Sequence, residues 1–180
     1  MRPQSFLIQK LFNTFHPSLS GIREPEMPHW RYSVKEIDPD RSVKCSGREL
    51  SISPKASREL CLSIKGLKLG DAKKFLEAVM EKKLPVPFHR YKKEVGHRRM
   101  PYKGYAGRYP VKAAKTLLRL LEELESNAEY KGLDVENLRI IHAAAQRGRK
   151  IKRYTPRAFG RSSPKFDTLT HVELIGYEAL

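Results

Sequence analysis

The chain has 180 residues, with 36 Lys and Arg against 20 Asp and Glu, a net charge of +16 and an apolar fraction of 39%. That length builds one domain, with or without extensions, around one core of moderate size. A chain this basic repels itself until a polyanion neutralises it. The charge therefore excludes a neutral enzyme surface as the default and makes nucleic acid or an acidic membrane surface the first partner to weigh.

In chain order, residues 1–26 carry a short apolar patch (Phe6, Leu7, Ile8, Leu11, Phe12, Phe15) followed by Pro, Ser and Gly. The patch is short for a signal peptide and has no small-residue cleavage motif. This stretch is expected to be a flexible tail or a misassigned upstream start ahead of Met27, with a single domain over 27–180. Trp30 to Ile37 alternates loosely and is rich in aromatic and β-branched residues, which predicts a strand. Ser53-Pro54 is a helix-start pair, and Gly66 a stop. The helix between them places Ala56, Leu60 and Ile64 on its buried stripe, with Cys61 alongside. A second helix is predicted over 70–82, where Ala72, Phe75, Leu76, Val79 and Met80 share one face. A third runs from Pro110 to about Tyr130, with Ala114, Leu117, Leu118, Leu121, Leu124 and Ala128 inward and Glu122, Glu123, Glu125 and Glu129 outward.

Between the second and third helices, residues 88–110 fit no period. Phe88, Tyr91, Tyr102, Tyr105 and Tyr109 interleave with Arg, Lys and the breaks Gly96, Pro101, Gly104 and Gly107. Rings stack on unpaired bases, cations meet phosphates, and glycines admit close backbone approach, so this stretch reads as a loop ordered on RNA rather than as an element. The C-terminal third reads as two strands, from Leu138 towards Arg153 and from Lys165 to Tyr177, joined by the turn-rich tip Pro156–Pro164. Arms of about 15 residues at ~3.3 Å each reach on the order of 50 Å. A compact chain of this size has a radius of gyration of only about 15–16 Å. The apolar positions of the second arm (Leu169, Val172, Leu174, Ile175) lie at its base, and residues 147–165 are cationic on both faces. A lone two-stranded ribbon is marginal in water. The arm is thus expected to order when polyanion surrounds it.

The placement of charge sharpens the total. Residues 82–115 hold eleven Lys/Arg and one acid, Glu94, while 139–165 hold nine and no acid. These two segments carry +19, leaving −3 on the other 119 residues. Diffuse charging for solubility does not segregate in this way, whereas a polyanion-binding surface does.

Other classes lack their signatures. There is no apolar run long enough to span a membrane. The two cysteines, Cys45 and Cys61, form neither a disulfide framework nor a zinc pattern, and read as a loop thiol and a small core residue in a reducing cytoplasm. No Walker loop, GxGxxG, HExxH or GxSxG occurs, and the six histidines show no metal-ligand spacing.

Four blocks are recognisable together. They are Pro85-Val86-Pro87-Phe88; Gly107-Arg108-Tyr109-Pro110 leading into Lys112-Ala113-Ala114; Ser126-Asn127-Ala128-Glu129 with Lys131-Gly132-Leu133-Asp134; and Pro156-Arg157-Ala158 with Gly160-Arg161 before Thr170-His171-Val172-Glu173. In this order and spacing the chain resembles, over about residues 28–178, the large-ribosomal-subunit protein twenty-two family in its archaeal and eukaryotic form (seventeen in older eukaryotic naming). The resemblance implies an α+β body of three helices on a three-stranded antiparallel sheet, with a long β-hairpin threading through rRNA to the wall of the polypeptide exit tunnel. It also implies a non-enzymatic structural constituent of the large subunit in the cytoplasm. The partners it implies are rRNA, neighbouring large-subunit proteins and, near the tip, the nascent polypeptide, with no cofactor, metal or membrane and no homo-oligomer.

Carried over by position, the hairpin spans 139–175 and the rRNA-binding loop 86–110. The rRNA-binding residues expected are Arg90, Lys92, Lys93, Arg98, Arg99, Lys103, Tyr105 and Arg108 in the loop, and Arg147, Arg149, Lys150, Lys152, Arg153, Arg157, Arg161 and Lys165 in the arm. The tunnel-side tip comprises Tyr154, Pro156, Arg157, Phe159, Gly160 and Arg161. Phe159 stands where many relatives are expected to hold a polar or basic residue; its ring either stacks on a base or faces the tunnel lumen. Neutralising about ten phosphates gives a salt slope near −9 on a duplex-like lattice. Two other readings compete. An RNA-processing enzyme needs carboxylates or a metal beside the cations, and only Glu94, Asp167 and Glu173, separated in sequence, are near them. A free-standing RNA- or DNA-binding factor would sediment apart from the large subunit.

Overall fold

The computed structural model describes residues 31–34, 37–101 and 106–178, so the expectations for residues 1–26, and for Lys103 and Tyr105, lie outside the described part. Every element belongs to the unit Val34–Leu180. Strand β1 (Ser42–Leu50) is followed by α1 (Pro54–Ile64) and α2 (Leu69–Met80). A two-residue ladder comes next, β2 (Val86–Pro87) with β3 (Gly107–Arg108), and then α3 (Val111–Lys131). The chain closes with β4 (Leu138–Ile151), β5 (Tyr154–Pro156), β6 (Ser162–Pro164) and β7 (Asp167–Glu178). The sheet order is β1-β7-β4, antiparallel throughout, with the C-terminal strand in the middle. This is the expected α+β body of three helices and a three-stranded sheet, extended by a hairpin.

The helices fall where their periods placed them. In α1 the buried residues are Ser57, Glu59, Leu60, Cys61 and Ile64, with Ala56 only half-buried, so the stripe is rotated slightly from the one predicted. In α3 Leu120 joins the inward face and Leu118 is half-buried. One core cluster unites Leu60 and Ile64 of α1, Leu76 and Val79 of α2, Leu117, Leu121 and Leu124 of α3, and Val43, Leu138, Ile140, Val172 and Leu174 of the sheet. Fully burying each such side chain contributes about 1.5–3 kcal/mol. Lys73 of α2 is ion-paired with Glu125 of α3. At the C-terminus of α3, the Lys131 ammonium donates to the carbonyls of Pro39 (3.0 Å) and Ser42 (2.9 Å), tying down the start of β1.

The first strand corrects the sequence reading. No strand forms among the described residues of 30–37; the edge strand is Ser42–Leu50 instead. Its inward positions, Val43, Cys45 and Gly47, are small because α3 lies close: a Cβ on Gly47 would stand 3.0 Å from both methyls of Leu120. Aromatic residues such as those of 30–37 would not fit under that helix. Cys45 is accordingly a buried strand residue rather than a loop thiol. Its thiol donates to Glu123 Oε2 (3.4 Å), and burial, reinforced by that carboxylate, pushes its pKa up to about 12. Burial alone raises Cys61 to about 12.

Candidate nucleic-acid interface

The arm grows out of the sheet at a defined neck. The last residue of β1 paired with the central strand is Leu50, opposite Thr170; beyond it only β4 and β7 continue. At this level both flanking strands bulge against β7, β1 between Gly47 and Leu50 and β4 between Arg147 and Lys150. His171 sits between the bulges. Its Nδ1 accepts the Glu49 backbone N–H (3.0 Å), and on the other side it meets Gly148, where a Cβ would lie 2.7 Å from Nε2. Gly148 is therefore required by close approach. Thr170 Oγ1, fully buried, donates to the Ile52 carbonyl (2.7 Å) and ties the neck to the α1 side of the body. A bulge bends a strand and raises its twist, which re-aims the side chains that follow. Here the residues that follow are Arg149, Lys150 and Lys152.

Beyond the neck the arm is a ribbon in two sections. The β4–β7 pairing ends at Ile151 opposite Asp167, and pairing resumes at Tyr154 opposite Pro164. The gap is bridged by Lys165 N–H donating to the Arg153 carbonyl (2.6 Å) and by an edge-to-face contact of Tyr154 with Phe166 at 5.8 Å. At the end, Arg161 N–H donates to the Ala158 carbonyl (3.4 Å) across Phe159 and Gly160, whose φ values are +56° and +66°. Positive φ at both central residues is the type I′ hairpin turn, which suits the twist of the ribbon. Glycine takes this conformation freely, but Phe159 is strained in it, by roughly 1–2 kcal/mol. Phe159 is 93% exposed.

Every arm cation predicted to bind RNA is exposed: Arg147, Arg149, Lys150, Lys152, Arg153, Arg157, Arg161 and Lys165. Two have partial protein partners. Arg153 lies 3.8 Å from Asp167, and Arg157 Nε donates to Ser163 Oγ (3.2 Å). Both contacts are at the surface and exchange readily for phosphate. The carboxylates an enzyme would need are not brought together: Asp167 faces Arg153, whereas Glu173, 1% exposed, accepts Gln146 Nε2 (2.9 Å) and lies 3.6 Å from His142 Nε2.

The described part of the second cationic segment holds more regular structure than its sequence suggests. The β2–β3 ladder pairs Val86 with Arg108 and Pro87 with Gly107, and His97 bridges Ala106. Phe88, Val95 and Ala106 are buried and hold the loop closed. Its entry is anchored by a residue that sequence reasoning passed over. Glu59 of α1, 0% exposed, accepts the backbone N–H groups of His89 (3.1 Å) and Arg90 (3.4 Å) and the Arg58 guanidinium (2.5 Å). Arg90, Lys92, Lys93, Arg98, Arg99 and Arg108 are exposed around this frame. Arg108 lies over the Phe88 ring at 5.9 Å and Arg98 over Tyr109 at 5.7 Å. The loop, α1 and α3 together enclose an open cleft lined by Tyr91, Tyr109, Lys55, Lys93, Arg108 and Lys112 among others, with no acidic residue. Tyr91 and Tyr109 are among the rings expected to stack on bases, whereas Lys55 and Lys112 are not among the residues expected to bind. The signal for Lys55 and Lys112 was their position one or two residues into predicted helices.

With this geometry in place, the family assignment follows. The sequence model described as ribosomal protein L22p/L17e matches residues 45–176, from β1 through the arm to β7. The chain belongs to the ribosomal protein L22p/L17e family. Relatives named large ribosomal subunit protein uL22 are about half identical to it. The Archaeoglobus fulgidus protein is 54% identical over 149 residues, covering 83% of this chain and 96% of its own length. The Thermofilum pendens protein is 54% identical over 152 residues (84% and 99%), and the Methanopyrus kandleri protein 50% over 154 residues (84% and 97%). No described helix is long and apolar enough to cross a membrane.

Proposed function

We propose that this ribosomal protein is a structural, non-catalytic constituent of the large ribosomal subunit in the cytoplasm. Its arm clamps rRNA segments together during assembly and lines the polypeptide exit tunnel with its tip, beside the nascent chain. The observation that carries the reading is the neck at Gly148 and His171. On the body side the sheet is buried under three helices; on the arm side eight cations, Arg147 to Lys165, stand exposed on a ribbon without a core. A ribbon of that kind is completed by what surrounds it. Cations on both faces suit phosphates from two sides rather than one flat surface. On this reading Phe159 and Arg157, at the far end, meet the tunnel. Charge reversal of Arg149, Lys150, Lys152 and Arg153 together to Glu tests the clamp. The tagged variant should be missing from the large-subunit peak of a sucrose gradient. Incorporation at the level of the unaltered protein would refute the proposal.

A further inference from the structure

We propose how the expected RNA-binding loop engages its ligand: the cleft between residues 88–93, residues 108–110 and the starts of α1 and α3 takes one unpaired nucleotide of single-stranded RNA with its flanking phosphates. The inference rests on the rRNA-binding reading above and adds the cleft and a ligand form to it. Four exposed cations, Lys55, Lys93, Arg108 and Lys112, border the cleft, and no acidic side chain lines it. These cations converge from three separate stretches of sequence. A merely solvated basic surface does not need them around one concavity, whereas a phosphodiester with its two neighbours does. The cleft also holds two half-buried rings, Tyr91 and Tyr109. Lys55 lies 5.4 Å from the centre of the Tyr91 ring and Arg98 5.7 Å from that of Tyr109, so each ring already has a cation on it. Cation beside ring is how proteins hold single strands, with the base on the aromatic plane and its phosphate on the charge. A duplex presents no free base face to either tyrosine, so the cleft selects for an unpaired nucleotide. The site is also pre-shaped: Glu59 fixes the loop entry at His89 and Arg90, and the β2–β3 ladder fixes its exit. An acidic peptide is the competing occupant by charge, but it has no use for two planar rings.

The test uses the purified full chain and a short oligouridylate carrying one photoreactive bromouridine, with an RNA duplex of equal phosphate number and a poly-glutamate peptide as comparison probes. Cross-linking followed by mass spectrometry is expected to map to Tyr91 or Tyr109. Tyr91→Leu with Tyr109→Leu should weaken single-strand binding about tenfold and leave duplex binding unchanged, while Tyr→Phe at both positions should retain affinity. Lys55→Gln with Lys112→Gln, both at exposed positions, should lower the single-strand salt slope by about 1.4. Cross-links confined to the arm, unchanged single-strand affinity in both double variants, or displacement of the oligouridylate by poly-glutamate at equal charge would overturn the cleft. Those outcomes leave the arm proposal standing if the arm variant still fails to enter the subunit; normal entry of that variant is the failure of the broader reading.

Discussion

Glu59→Ala should both destabilise the protein and release the loop that frames the cleft. The carboxylate is fully buried and accepts two backbone N–H groups and one guanidinium. Hydrogen bonds to a charged group contribute about 1.5–3 kcal/mol each. Arg58, partly exposed, recovers water and adds little to the loss. The two amides therefore set the magnitude, about 3–5 kcal/mol. Glu59→Gln keeps one carbonyl oxygen for an amide and should cost about half as much. Urea unfolding measures the total, and hydrogen exchange at His89 and Arg90 locates it: both amides should lose protection in the Ala variant before α1 does. A change under about 0.5 kcal/mol with both amides still protected would refute the assignment of Glu59 as the anchor of the loop.

Three further outcomes follow from particular contacts. Thr170→Val removes the donor to the buried Ile52 carbonyl and should cost about 1–3 kcal/mol by urea unfolding, with the loss felt at the neck. Phe159→Asn puts a residue suited to left-handed backbone into the tip turn; it should relieve about 1 kcal/mol of strain and raise the exchange protection of the Arg161 amide. Cys45 and Cys61, with pKa values raised to about 12, stay protonated at pH 8 and should resist alkylation until the chain unfolds. The sign is that of a folded pKa above the unfolded one. The thiols' contribution to stability is intact below about pH 9 and declines as pH rises from there towards 12, so alkaline unfolding should come earlier than in a Cys45→Ala, Cys61→Ala variant of equal neutral stability.

The three helices were legible because each carries a strong 3.6-residue period between recognisable ends, Ser53-Pro54, Gly66, Pro110 and Gly132. The arm was legible from its charge and its turn residues. Strand β1 was not, because its inward side chains are small or polar, and that smallness is set by how close α3 comes. The aromatic run at 30–37 drew the prediction instead, since strand propensity measures a fit to a half-buried pleat and not the pleat's presence. Glu59 was hidden next to Leu60 on an amphipathic helix, where a carboxylate reads as solvated. Nothing local says that two amides thirty residues on will point at it. The tyrosines of the cleft were legible as stacking rings, but the cleft was not: Lys55, Tyr91 and Lys112 are remote in sequence and meet only in the fold. The neck showed only as Gly148 within a basic run, and its reason is the ring of His171, on the opposite strand.

On the proposed function, rRNA completes the arm's exposed cations on both faces. The most direct measurement is a density map of the intact large subunit containing this chain. Arg149, Lys150, Lys152 and Arg153 are expected within hydrogen-bond distance of phosphates from at least two rRNA segments remote in sequence, with Phe159 at the tunnel wall. An arm lying on the subunit's solvent face, its cations without phosphates, would contradict it.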